Sequence, residues 1–289
     1  MTGVSVAGAR SVERADAAPV TTTDNGAVAV NGFSLFLGEK EVLRNIDLRI
    51  PAKQFVAIIG PSGSGKSTLL NAIAGFITPS TADVAMHGQV LVGGSVPTER
   101  KVRCGVVFQE YALYPWRTAR RNIEFALEAL GTPSASRPER ALHYLRQVGL
   151  AASAELYPHQ LSGGMKQRVA IARALAYEPG VLLMDEPLGA LDALTREKLM
   201  RLIEQVWRQS ETTVVYVTHN VGEAVFLADR VLVLKSEPGE VVCDMPIDMP
   251  RPRDPYDPQV VELERRLRDA IPDMSDNESN ARAANGRLR

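Results

Sequence analysis

The run Gly60-Pro61-Ser62-Gly63-Ser64-Gly65-Lys66-Ser67 constrains this chain more than any other feature, because of what flanks it. Ahead of it stands the apolar stretch Phe55-Val56-Ala57-Ile58-Ile59, suited to a strand covered on both faces and so to a central parallel strand. Behind it a helical stretch runs from Thr68 to Ala74 and is closed by Gly75. Glycines at this spacing let successive backbone N–H groups turn inward, and the helix N-terminus adds its partial positive charge. Strand, loop and helix together make a cradle for phosphate. In such a cradle Lys66 bridges the β and γ phosphates of a nucleotide, and the Ser67 hydroxyl holds Mg²⁺.

The rest of the chain supplies a matching scaffold. Alternation in Ile46-Asp47-Leu48-Arg49-Ile50 predicts a half-buried strand. Buried runs recur at Gly105 to Phe108, Val181 to Met184 and Val214 to Val217, with helical patterns between them, so the core is α/β. Residues 27–110 and 161–235 form its two parts. Between them, 111–160 lack a strand pattern: Ala119, Ile123, Ala126, Leu127 and Leu130 follow helical spacing, as do Ala141, Leu142, Leu145 and Val148, which predicts a helical insertion. Residues 1–26 read as a disordered tail, and 236–289 as a short C-terminal extension and tail. The extension is Pro-rich at first; Asp257 then caps a helix carrying Val260, Leu263, Leu267 and Ile271, and the tail begins at residue 273.

Charge and cysteine content narrow the function. With 33 Lys and Arg against 34 Asp and Glu, net charge is -1, so binding to nucleic acid through overall charge is excluded and phosphate binding must be local. Cys104 and Cys243 are too few for a disulfide framework or a four-ligand zinc site and read as structural thiols. No apolar stretch is long enough to span a membrane and no signal peptide is evident, so the chain is expected to stay inside the cell.

A second acidic element follows Val181 to Met184, where Asp185 and Glu186 stand at a strand's carboxyl end. Asp185 is placed to hold the hydration shell of Mg²⁺, and Glu186 to polarise water for in-line attack on the γ phosphate. Then comes Leu161-Ser162-Gly163-Gly164-Met165-Lys166-Gln167-Arg168. Ser162 and Gly164 sit where a helix Val169 to Tyr177 begins, offering a hydroxyl, backbone donors and a helix dipole to a second anion.

This eight-residue string resembles the signature motif of ABC proteins, and the resemblance runs from about residue 28 to residue 235. It implies the ABC ATPase fold: a P-loop core with a mostly parallel sheet, an N-terminal antiparallel β portion and a helical insertion. It also implies that one subunit's signature closes over ATP held on the other subunit's P-loop, in a head-to-tail pair of identical chains. Gln109 resembles the Q-loop glutamine, with a part in catalysis and at the Mg²⁺. Leu191-Asp192 resembles the D-loop. His219, at the end of Thr213 to Thr218, resembles the H-loop histidine that contacts the γ phosphate and orients Glu186. An aromatic upstream of the P-loop stacks on adenine in this family; Phe36 is the candidate and Phe33 the runner-up. Two positions depart from the family. Lys53-Gln54 stand where Gly-Glu is usual, so a left-handed lysine there would cost about 1 kcal/mol; Asn220 replaces the aspartate that commonly follows the histidine.

Leu113-Tyr114-Pro115-Trp116 after Gln109, the uninterrupted Leu161 to Leu175 segment, and Pro250-Arg251-Pro252-Arg253 resemble the nitrate, sulfonate and taurine importer group. The expectation is therefore an ATPase at the cytoplasmic face of a membrane. Its dimer closure would drive a permease to which a separate extracytoplasmic binding protein delivers a small anion. Trp116, between Pro115 and Arg117, is expected to be exposed for the permease's coupling helix. The segment after residue 235 is too short for the large regulatory β domain of sugar-importer ATPases. Three other readings are weighed: the ATPase of an ABC importer for another solute class; a soluble ABC ATPase acting on a macromolecule, disfavoured by the single cassette; and a binding module without turnover, disfavoured by Glu186 and His219.

Overall fold

The computed structural model describes residues 26–99, 102–210 and 212–271. Residues 1–25 of the expected N-terminal tail, and the tail expected from residue 273, lie outside the described residues. In chain order the strands and helices are β1 (Val28–Leu37), β2 (Lys40–Ile50), β3 (Phe55–Ile59), α1 (Lys66–Ala74), β4 (Val84–Val92) and β5 (Cys104–Val107). There follow α2 (Ala119–Ala129), α3 (Arg137–Gln147), α4 (Gly163–Ala176), β6 (Val181–Asp185), α5 (Ala193–Arg208) and β7 (Thr213–Val217). The chain continues through α6 (Val221–Leu227), β8 (Arg230–Lys235), β9 (Glu240–Pro246) and α7 (Pro258–Asp269).

One sheet has the order β5-β6-β7-β3-β8-β9, parallel except for the antiparallel edge strand β9. The other is the antiparallel sheet β2-β1-β4. As its apolar run requires, β3 is buried on both faces. Phe55, Ala57 and Ile59 pack on the side of α4, α5 and α6, whereas Val56 and Ile58 pack with α1 and the antiparallel sheet. A third apolar cluster, built from α2, α3 and the facing residues of α4, stands apart from the large sheet. The segment from Tyr111 to Gln160 carries helices and turns only.

One local feature differs from the sequence reading and two lie beyond it. α4 starts at Gly163 rather than near Val169, with Ser162 as its N-cap: the Oγ accepts from Met165 N at 3.3 Å. Two glycines make a poor helix start by propensity, yet a Cβ on Gly164 would lie 2.7 Å from Thr195 Cγ2, so close packing against α5 decides the matter. Second, β9 was not anticipated; it covers the edge of β8. Third, Arg251 and Arg253 fold inward. Arg253 is buried and donates to the carbonyls of Val225, Ala228, Ile247 and Met249, while Arg251 lies 4.7 Å over the Trp207 ring and pairs with Asp229. Arg253 thereby caps α6, at some electrostatic cost, since burial lowers its pKa to about 10. Lys53 keeps the left-handed conformation, φ 66, rather than remodelling the turn, and its N–H donates to Thr213 Oγ1 at 2.8 Å.

Candidate functional site

β3 delivers the chain into a loop that glycine alone can complete. Gly60 has φ 155, and a Cβ there would come within 2.3 Å of Leu234 O; Gly65 has φ 83, and a Cβ would meet Leu43 Cδ2 at 2.6 Å. Pro61, Ser62 and Gly63 form the outer wall, and the buried Ser64 lines the inside. Lys66, only 6% exposed, donates to Gly60 O at 3.0 Å and Pro61 O at 2.7 Å, with Ser64 Oγ at 3.3 Å. Its ammonium is thus held across the loop mouth, where burial pushes its pKa down while Glu186 and Asp185 hold it up. The first intrahelical bond of α1 is Leu69 N to Gly65 O at 2.8 Å. The N–H groups of Lys66, Ser67 and Thr68 precede it and have no intrahelical acceptor, which is the geometry of an anion site.

β6 ends beside this loop. Ser67 Oγ donates to Asp185 Oδ1 at 2.9 Å, joining the helix start to the strand end. Burial raises the Asp185 pKa, the Ser67 hydroxyl lowers it, and the neighbouring Glu186 raises it further. Two hard oxygen donors side by side, with an adjacent acid, form the kind of donor set that suits Mg²⁺. Glu186 itself is left-handed, φ 43, with its N–H donating to Val217 O at 2.9 Å, a strained conformation of the sort that accumulates at reacting groups. That turn aims its carboxylate at His219, whose Nδ1 lies 3.2 Å from Glu186 Oε2. Gln109, exposed beyond β5, converges on the same place: a Cβ on Gly189 would lie 3.6 Å from Glu186 Oε2 and 3.7 Å from Gln109 Nε2.

The signature residues stand on the neighbouring helix. Leu161 is anchored in the third apolar cluster, Ser162 is exposed at the α4 N-cap, and Gly163, Gly164 and Met165 form the first turn. Asp192 N-caps α5, its Oδ1 accepting from Thr195 N at 3.0 Å, and this backbone hydrogen bond lowers its pKa. Of the two adenine candidates, Phe33 is 1% exposed inside the core between the sheets and can stack on nothing outside it. Phe36 is half-buried, its ring edge-on to His87 at 5.9 Å. Asn220 keeps a capping role in place of the usual aspartate: its Oδ1 accepts from Glu223 N at 3.1 Å at the start of α6.

Trp116 is 70% exposed, and the structure gives the reason. The buried Asn122 side chain accepts from Tyr114 N at 2.9 Å and donates to Tyr114 O, Arg117 O and Thr118 O at 3.2, 3.0 and 3.0 Å. Every polar atom of that amide is spent on folding the 114–118 loop outward. Arg173 of α4 donates to Ala112 O at 2.6 Å and Tyr111 O at 3.3 Å, tying the segment just past Gln109 to the signature helix.

Sequence reasoning missed one group altogether. Glu223, 4% exposed, accepts from Tyr216 Oη and Thr218 Oγ1, both at 2.8 Å, directly beside His219. The spacing Asn220-x-x-Glu223 signals only a capping box, in which the acid would face the N-cap amide. Here Thr218 Oγ1 takes the Asn220 N–H at 3.0 Å, freeing Glu223 to turn inward.

Comparison with known proteins agrees with this arrangement. A family model described as "ABC transporter" matches residues 43–189. The nitrate import ATP-binding protein NrtD of Synechocystis is 46% identical over 213 residues, covering 74% of this chain and 78% of that protein. The aliphatic sulfonates import ATP-binding protein SsuB of Pseudomonas putida is 49% identical over 226 residues, covering 78% of each. Among solved structures, the ATP-binding cassette MJ0796, as a post-hydrolysis dimer bound to ADP and Pi, matches with TM-score 0.64 at 34% identity, covering 77% of this chain and 99% of that one. A phosphate cradle, an acid–histidine pair at the sheet's carboxyl edge and a signature helix, arranged on this fold and shared with these relatives, place the chain in the ABC transporter family as an ATP-hydrolysing, ATP-binding subunit.

Proposed function

We propose that this chain is the motor subunit of an importer for small anions of the nitrate, sulfonate or taurine type, working as a head-to-tail pair at the cytoplasmic face of the membrane. The observation that carries the reading is the contact of His219 Nδ1 with Glu186 Oε2, 3.2 Å, beside the Ser67–Asp185 pair. In each half, Gly60 to Thr68 cradle the phosphates of ATP, with Lys66 neutralising them. Glu186 accepts a proton from the attacking water and His219 holds the carboxylate in line. Phe36 stacks on adenine. Ser67, Asp185 and Gln109 would hold Mg²⁺, mainly through water; the ion supplies charge neutralisation at the β and γ phosphates. The partner's Ser162 hydroxyl and first-turn amides close the site over the γ phosphate, with Asp192 at the seam between the subunits.

The solute class rests on the nitrate and sulfonate importers among the relatives. The peripheral location is supported by the lack, among the described residues, of a helix long and apolar enough to cross a membrane. Trp116 and the ring cluster Tyr114 and Phe125 form the surface offered to the permease, and a solute-binding protein acts on the far side. The test is uptake into proteoliposomes containing the permease, this subunit and the binding protein. ATP-dependent accumulation of nitrate or an alkanesulfonate, lost with Lys66→Ala, is the expected result. ATP hydrolysis stimulated by permease without uptake of either anion class would refute the solute assignment and leave the motor intact.

A further inference from the structure

We infer that Glu223 is a positioning residue that locks the His219 loop to the Asp192 loop, so that the histidine beside Glu186 and the segment at the subunit seam move as one body. The inference rests on the catalytic reading of Glu186 and His219 given above.

The two loops leave the sheet from the paired strands β7 and β6, whose backbone register ends at Asp185 and Val217 with the Glu186 N–H to Val217 O bond; beyond that point side chains must hold the loops together. Glu223 supplies the connection. Its Oε2 accepts from Tyr216 Oη and Thr218 Oγ1, both at 2.8 Å, on the two inward-facing positions before His219. Thr218 in turn accepts the Asn220 N–H at 3.0 Å, so the residues on both sides of His219 are fixed by one carboxylate oxygen. The other oxygen, Oε1, faces Arg196 Nε at 3.5 Å. Arg196 lies on α5 and its Nη2 donates to Leu191 O at 3.0 Å, the residue before Asp192. A continuous polar path thus runs from Leu191 through Arg196 and Glu223 to Thr218 and the loop holding His219.

Burial makes this path informative. Tyr216 is fully buried and Glu223 nearly so, on a helix whose Val221, Ala224 and Val225 belong to the large apolar cluster. Apolar side chains would fill the same volume without the desolvation cost of a charge, and a buried ion pair is weak as a source of stability. What the carboxylate adds is direction: two short hydroxyl donors fix Oε2, and the Arg196 charge, an ion pair at 3.5 Å without a hydrogen bond at Nε, draws Oε1 toward α5. Burial and the Glu223 charge hold the Tyr216 phenol far above its usual pKa, so it remains a donor at any working pH.

Glu223→Gln dissects the device. The amide oxygen can still accept from Tyr216 and Thr218, while the NH₂ group turns toward Arg196, opposing two donors and cutting the arm to Leu191. In the full-length dimer we expect kcat to fall about 10-fold or more with KM for MgATP within about 2-fold, since small misplacements of positioned groups are expensive. A kcat within about 2-fold of wild type overturns the inference. So does a rise in KM that parallels the loss in kcat, because that pattern belongs to a generally loosened site. If Glu223→Gln gives no cooperative melt, Thr218→Val serves instead: it keeps the volume, removes the hydroxyl from both Glu223 and Asn220, and must lower kcat with the same KM-neutral pattern. Glu186→Gln is run alongside. Wild-type turnover in that variant would sink the catalytic reading itself, whereas a slow Glu186→Gln with a normal Glu223→Gln sinks only the lock.

Discussion

Trp116→Ala separates the motor from its coupling, and the structure sets the size of the effect. A tryptophan side chain can bury up to about 250 Å². At 70% exposure about 170 Å² remains for a partner to cover, worth about 4 kcal/mol at 25 cal/mol per Å². Ordering and imperfect fit remove about half of that, leaving about 2 kcal/mol, or a 30-fold loss of affinity for the permease. The isolated subunit loses little, because the rings of Tyr114 and Phe125, 4.9 Å apart, and Arg117 over both of them stay in place. The measurements are ATP hydrolysis and melting of the isolated subunit, affinity for the detergent-solubilised permease, and transport. Hydrolysis within a few-fold of normal alongside collapsed transport and co-purification is expected. Lost stability or hydrolysis with normal complex assembly would show that Trp116 serves internal packing.

Glu186→Gln should bind MgATP yet turn over at least about 100-fold more slowly, as general-base loss typically costs 10² to 10⁴; near-normal turnover means Glu186 is not the base. Ser162→Arg and Lys66→Ala are each expected to be inactive alone but to recover one composite site when mixed, and heterodimers that form without recovering activity argue against the head-to-tail pair. Arg253→Leu strands the carbonyls of Val225, Ala228, Ile247 and Met249, so stability in chemical denaturation should drop by about 3 kcal/mol or more, and an unchanged midpoint would show that water replaces the guanidinium. Burial pushes the Cys104 thiol up to about 11, so at pH 8 it should resist alkylation until denaturant is added; rapid labelling of the folded protein would contradict that burial.

How much of this was legible depended on how local the information is. The phosphate cradle was readable because strand, loop and helix are contiguous and each residue's conformational demand is its own. The turn at Lys53 reads only as a departure from the family's Gly-Glu, and sequence alone leaves open whether the lysine stays left-handed or the turn is rebuilt. Gln109, Asp192 and His219 carry no such local mark and came only with the family resemblance. What stayed hidden depends on distant partners. Glu223 reads as a helix cap until Thr218 takes the amide it would have capped. β9 carries Val241, Val242, Cys243 and Met245 but no fully buried face, and its place in the sheet depends on the edge of β8, distant from any local mark. Pro250 to Arg253 read only as part of a family resemblance, with no placement for the two arginines; carbonyls at the end of α6 and the Trp207 ring, both upstream, draw them inside. The phenylalanine alternatives were separable only by depth, because Phe33 and Phe36 lie on the same strand.

The arginine clasp has a consequence in time as well as in space. A nascent chain emerges N-terminus first, and by residue 235 the phosphate loop, Glu186 and His219 have all been synthesised. The last turn of α6, however, ends in carbonyls that Arg251 and Arg253 supply with charged donors, and β8 still presents a bare edge until β9 arrives. The helix that directly follows His219 is therefore finished by residues made afterwards. Because β3 lies between β7 and β8, the phosphate loop and the histidine segment share one sheet, and the helix that follows the histidine is sealed only by residues that come after both.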